Sequence, residues 1–194
     1  MKLIDIEGRP GWRYFKGHPY TRIEKTAKIV GNVEICDSAW VYENARVYGN
    51  SKINNNAMIS GNAVISEDAN IYGHAKVSGY TVVYGNAKVE GHAQTSEYAV
   101  VHGHAKVDGN AIINGYGEIL KTEDYMVIES PNRFFRHLTL HRDKKIGIRI
   151  NYFDFSGTLE EYIFEYRKTN NQYFHQGMMT KYYNIFKDRM TPLE

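Results

Sequence analysis

The stretch that decides the fold runs from His18 to Ile119, opening HPYTRI EKTAKI VGNVEI CDSAWV YENARV YGNSKI and closing EGHAQT SEYAVV HGHAKV DGNAII NGYGEI. It divides into seventeen consecutive hexads without insertion or deletion across 102 residues. The sixth position is Val or Ile in every hexad except EGHAQT, where Thr95 stands. The fourth is small or β-branched: mostly Ala, with Thr21, Val33, Ser51, Thr81 and Gly117. A strict period of six excludes a helix, whose apolar positions recur about every 3.6 residues. It describes short strands joined by tight turns, with Val or Ile pointing inward and the small residue filling the corner. Pairs such as Gly61-Asn62, Gly85-Asn86 and Gly109-Asn110 mark the turns, because both residue types tolerate positive φ.

This pattern resembles the hexapeptide-repeat, left-handed parallel β-helix proteins, in which three hexads make one triangular coil. The resemblance implies a mainly β protein of about 5–6 coils, roughly 27 Å tall at ~4.8 Å between stacked strands. The run AWVYENARVYGNSKI, the recurring VYGNA-type hexads and FSGTLEEY at 155–162 are similar to phage and prophage members of that group. Those members carry a small C-terminal α+β module on an uninterrupted β-helix. The implied organisation is an N-terminal cap segment at 1–17, the β-helix at 18–119 and the module at 120–194.

Beyond Ile119 the six-residue period is lost. Tyr125–Glu129, Arg136–Arg142 and Ile148–Phe153 read as strands of a small antiparallel sheet, with a turn at 143–147. Thr158 with Glu161 three residues later is a capping-box signature opening a helix to about Lys168. A second helix is expected around Met178–Arg189, where Tyr182, Ile185 and Phe186 have helical spacing. So small a module should dock on the prism or on a neighbouring chain.

Composition narrows the function classes. Lys and Arg number 24 against 22 Asp and Glu in 194 residues, a net charge of +2, which argues against bulk adhesion to nucleic acid or anionic membrane. Cys36 is the single cysteine, so an intrachain disulfide framework and a CxxC site are excluded. No apolar run approaches the ~20 residues of a membrane span, and MKLIDIEGRPGWR lacks the apolar stretch of a secretory signal. The expected location is the cytoplasm, and the host cytoplasm if the chain is phage-encoded.

With three hexads to a coil, the outward fifth positions sort into three columns. Glu34, Lys52, Asn70, Lys88 and Lys106 form a solvated face; Arg22, Trp40, Met58, Lys76, Gln94 and Ile112 form a mixed one. The third column holds Lys28, Arg46, Val64, Val82, Val100 and Glu118, with Tyr80, Tyr98 and Tyr116 at its turns. A contiguous apolar stripe on a wet surface marks an interface. Proteins of the resembled fold are homotrimers packed side by side, so Val64, Val82, Val100 and the three tyrosines are the expected seam. The alternative is a C-terminal module folded over the same stripe.

His74, His92, His102 and His104 are the histidines that could carry chemistry. A zinc site like that of the γ-class carbonic anhydrases, which share the resembled fold, needs two histidines five residues apart. Glu97 stands five after His92 and five before His102, so that pair is broken and no metal is expected. CoA-dependent acyl transfer, an activity the resemblance implies, would use His92 or His102 as general base beside Glu90 or Glu97. No extruded loop interrupts 18–119 to close such a site. The plain reading makes His74, His92 and His104 turn residues, equivalent to Asn32, Asn50, Asn62 and Asn86 and sharing asparagine's tolerance for left-handed φ. Neither GxGxxG leading into a helix nor GxxxxGK[ST] occurs.

A binding role is the leading expectation: a non-catalytic homotrimer with no cofactor, sequestering a small anionic, nucleotide-like ligand or blocking a host protein in an anti-defence role. Tyrosine faces suit planar rings, and basic side chains suit phosphate. The ligand candidates are His74, His92, His102 and His104, with Arg136, Arg142, Lys144 and Arg149 from the module.

Overall fold

The computed structural model describes residues 3–128, 138–152, 155–166 and 172–190. The hexads wind into a parallel β-helix with three sheets, each rung a strand of two to seven residues. The sheets reproduce the three sequence columns: Arg22↔Trp40↔Met58↔Lys76↔Gln94↔Ile112 in the mixed sheet, Arg46↔Val64↔Val82↔Val100↔Glu118 in the apolar one. Glu34↔Lys52↔Asn70↔Lys88↔Lys106 forms the charged sheet. Up to Val100 each outward residue donates its amide to the carbonyl seventeen residues later, as Arg22 to Ala39 at 2.9 Å and Val100 to Gly117 at 2.8 Å.

Nearly every sixth-position residue and every fourth-position residue is buried, which fills the prism with side chains no larger than Ile between its ends. Each buried Val or Ile stabilises the stack by about 1.5–3 kcal/mol. Ser51 and Thr81 reconcile their hydroxyls with the core by donating to the carbonyls of Tyr48 and Ser78 at 2.7 Å. Thr95 is fully buried and its hydroxyl has no such partner among the described residues.

From the third hexad onward the left-handed turn residue is the second of each hexad. Glycine usually occupies it: a Cβ on Gly79 would lie 2.7 Å from the Glu97 amide nitrogen. The non-glycine residues there are Asp37, Glu43, Asn55, Glu67 and Glu97, with φ between 56° and 59°. Most of these side chains reach one coil onward to accept an amide: Asp37 from Asn55, Asn55 from Gly73, Glu43 from Gly61 and Glu97 from Gly115. That bond offsets the cost of left-handed φ in a residue with a Cβ. His74, His92 and His104 stand at the third position and have no positive φ, so tolerance for that conformation does not account for them.

The N-terminal segment is a hairpin of two strands, Leu3–Asp5 and Trp12–Phe15, added antiparallel to the first strand of the mixed sheet. Arg13 donates to the carbonyls of Glu24 and Ala27 at 3.1 and 3.3 Å.

At the other end the module forms four antiparallel strands, Tyr125–Ile128, Leu138–Asp143, Gly147–Tyr152 and Phe155–Gly157. The last was missed in the sequence. Two helices follow, α1 (Leu159–Tyr166) and α2 (Gln172–Arg189), the latter starting earlier than its apolar spacing suggested. The Thr158–Glu161 capping box is formed: Thr158 N donates to Glu161 Oε2 at 2.7 Å and Glu161 N to Thr158 Oγ1 at 3.1 Å.

Docking on the prism follows from strand alternation. Thr139, His141 and Asp143, two residues apart, present acceptors to the amides of Ile112, Asn114 and Tyr116 at 3.1, 3.4 and 3.0 Å. Those amides belong to the last coil and have no further coil above them. The described part of the module therefore closes the end of its own chain's prism and meets the Val/Tyr stripe at its last rung, where Lys145 lies over Tyr116.

Candidate functional site

The apolar sheet presents two outward residues per rung, on either side of the inward one. Val64, Val82 and Val100 form its centre and are half-buried. Along the corner that precedes them, Tyr80 and Tyr98 stack at 5.3 Å between centroids and Tyr98 and Tyr116 at 5.0 Å, with planes within 7° of parallel. Tyr80 is 56% and Tyr98 49% exposed. Along the opposite side Tyr84 stacks on His102 at 5.1 Å, and Leu120 is exposed beyond them. Tyr84 escaped the sequence reading because it opens a hexad, whereas the outward column was counted at fifth positions.

The ladder ends under the module. Lys145 Nζ lies 3.6 Å from the centroid of Tyr116. Its neighbour Lys144 bonds Glu118 Oε1 at 2.8 Å. Arg142 is buried, with Nε 3.1 Å from Asp124 Oδ1, and Arg149 Nε lies 2.7 Å from Asp143 Oδ2. Burial pushes the Asp143 carboxyl upward, but Arg149 and the amides of Lys145 and Tyr116 outweigh it and hold the group below the ordinary carboxylate range. Arg142, Lys144 and Arg149 thus sit in ion pairs at or beside the module–prism junction. Arg136, like Arg133 and His137, lies outside the described residues.

The histidines fall at separate places. His74 and His92 stack at 4.9 Å and 6° on an exposed corner beside the mixed sheet, and His104 is exposed at another turn. His102 is mostly buried, its Nε2 3.5 Å from Glu118 Oε1 without a hydrogen bond. The carboxylates expected beside His92 and His102 are engaged elsewhere: Glu90 pairs with Lys106 at 2.7 Å, and Glu97 accepts the Gly115 amide. The acid facing His102 is Glu118, sixteen residues on and close only because the coil returns. Among the described residues no three His, Cys, Asp or Glu side chains gather as metal ligands would.

Cys36 is half-buried beside Glu34 and Asp37; burial, then those two carboxylates, push its thiol up to about 11, which keeps it protonated and unreactive at neutral pH. A cleft of about 430 Å³ opens between the last coil and the module, against Asp108, Glu123, Tyr125, Met126 and Arg189. On its prism side Tyr125 Oη donates to Asp108 at 2.7 Å, and Lys106 pairs with Asp108 at 3.1 Å. No described helix is long and apolar enough to cross a membrane. Apolar and aromatic groups stand together in water on the tyrosine-edged sheet, and a second such pair, exposed Trp40 against Trp12 at 5.6 Å between centroids, lies on the mixed sheet. Comparison of the chain with protein-family models, curated proteins and solved structures finds no match.

Proposed function

We propose that the chain is a non-catalytic binding protein of the hexapeptide-repeat, phage type, assembled as a homotrimer along its tyrosine ladder to hold a small anionic, ring-bearing ligand. The observation that carries this reading is the ladder itself, with Tyr80 and Tyr98 half-exposed beside Val64, Val82 and Val100. Apolar surface of that continuity is stabilised by removal from water. Three coils of one sheet offer only about 14 Å by ~20 Å of face, well short of the roughly 800 Å² per partner typical of a stable pair. A ring of three copies engages the sheets on both sides of the tyrosine corner, where Trp40, Met58 and Ile112 add apolar surface on the mixed sheet. The grooves left between prisms would then hold the ligand. The role that fits is anti-defence: sequestering a host nucleotide signal, with obstruction of a host protein as the variant of the same idea.

Light scattering tests the assembly. The expected species contains three chains of 22.4 kDa each, and Val82→Glu returns it to one chain with an unchanged circular dichroism spectrum. A wild-type protein that stays at 22.4 kDa at high concentration overturns the seam. Calorimetry against cyclic and linear nucleotides should give saturable binding without product. The acyltransferase reading is favoured by one contact, His102 against Glu118. Acetyl-CoA turnover abolished by His102→Ala would replace the binding reading with that one.

A further inference from the structure

Four basic residues lie on the stretch 138–152, and three of them have carboxylate partners: Arg142 with Asp124, Lys144 with Glu118 and Arg149 with Asp143. Lys145 differs. Among the described residues its ammonium has no carboxylate within ion-pair distance, and it stands on the ring of Tyr116, the last of the ladder. One carboxylate builds this placement: Asp143 Oδ1 accepts the Lys145 amide at 2.8 Å, while Oδ2 accepts the Tyr116 amide at 3.0 Å. Arg149 Nε, 2.7 Å from the same Oδ2, fixes that carboxylate in turn. Ring and ammonium are therefore held from a single buried anchor.

We propose that the three Lys145 ammonium groups of the assembled protein converge at the module end of the seam and form a site for a phosphate chain, a site that one chain alone lacks. The inference rests on the trimeric reading above. If the ladders line the seam, the cation seated on each Tyr116 is carried there as well. Three like charges brought together and partly stripped of water repel one another. A bridging polyanion removes that repulsion and gains charge-assisted hydrogen bonds from each ammonium. Linkage then runs both ways: the anion tightens the trimer, and the trimer tightens anion binding. The anionic end of a nucleotide-like ligand would be held here, with the tyrosine edges alongside.

Inorganic tripolyphosphate is the probe, titrated calorimetrically into the full chain while its mass is followed by light scattering. One tripolyphosphate per three chains is expected. Lys145→Gln should weaken its binding at least tenfold while the trimer persists and no longer responds to the anion. Lys144→Gln, whose ammonium already serves Glu118, should change the affinity less than threefold. One anion per chain, or a Lys145→Gln trimer that binds as the wild type does, overturns the site and leaves the seam intact. A chain that never assembles removes both, so the two failures are told apart.

Discussion

The prism and its C-terminal module solve burial in opposite ways. Between its ends the prism core holds nothing larger than Ile, each inward side chain lying against its counterpart eighteen residues away. The module packs Leu140, Tyr152, Tyr162, Met179 and Phe186, drawn from distant points of the chain, into one small cluster. Among the described residues the buried carboxylates, guanidinium and imidazole (Asp124, Asp143, Arg142, His141) belong to the module, whereas the buried polar groups of the hexads are hydroxyls. A stack of like rungs behaves as a sum of neighbour contacts, while a small mixed core stands or falls as a unit. The two regions should therefore fail under different stresses.

The largest separation is expected from Phe186→Ala. Truncating this fully buried ring should cost the module about 3–5 kcal/mol. Hydrogen exchange should then lose protection over 138–152 while 58–107 keeps it. Simultaneous loss in both would show a single cooperative unit instead.

Acid should divide them next. His141 Nδ1 meets the Arg142 carbonyl at 2.9 Å, which leaves Nε2 to accept the Asn114 amide. Complete burial lowers the His141 pKa to about 4. Between its unfolded value of about 6.5 and about 4, the unfolded chain binds a proton that the native chain refuses. Stability contributed by neutral His141 is thus present above about 6.5, falls as pH drops through that window, and levels off below about 4, a loss on the order of 3 kcal/mol. Melts at pH 7.5, 5.5 and 4 should follow this for the module, and His141→Gln should flatten the slope. A slope unchanged in that variant would clear His141 of the effect.

The smallest effect belongs to the prism. Thr95→Val replaces an unpartnered buried hydroxyl with a methyl of the same shape and should raise stability by about 1 kcal/mol in denaturant titration. A loss on this substitution would mean that the hydroxyl has a role in the core.

The same contrast explains what could be read without coordinates. The hexads announce their inward and outward residues because contacts repeat at a fixed separation, so Val64, Val82 and Val100 fall into one sheet by counting. The Thr158–Glu161 box is local and was equally plain. Contacts between coils that depend on side-chain reach were not legible: His102 was set beside its sequence neighbours, yet faces Glu118. The strand Phe155–Gly157 is three residues with a serine and a glycine, too short and too polar to signal itself. The basic run of the module looked like an anion site because sequence gives no hint of Asp124, Asp143 and Glu118 arriving opposite Arg142, Arg149 and Lys144.

Ending the last coil with side chains has a consequence for length. A parallel β-helix offers a bare edge to any further strand, its own or another molecule's. Here Thr139, His141 and Asp143 occupy the amides that such a strand would seek. The hairpin at 3–15 covers the mixed sheet at the far end. The ruler is therefore set by its stoppers and not by its graduations: eighteen-residue units could be added or deleted in the middle with little disturbance, whereas stripping the stoppers would leave a template for fibre growth.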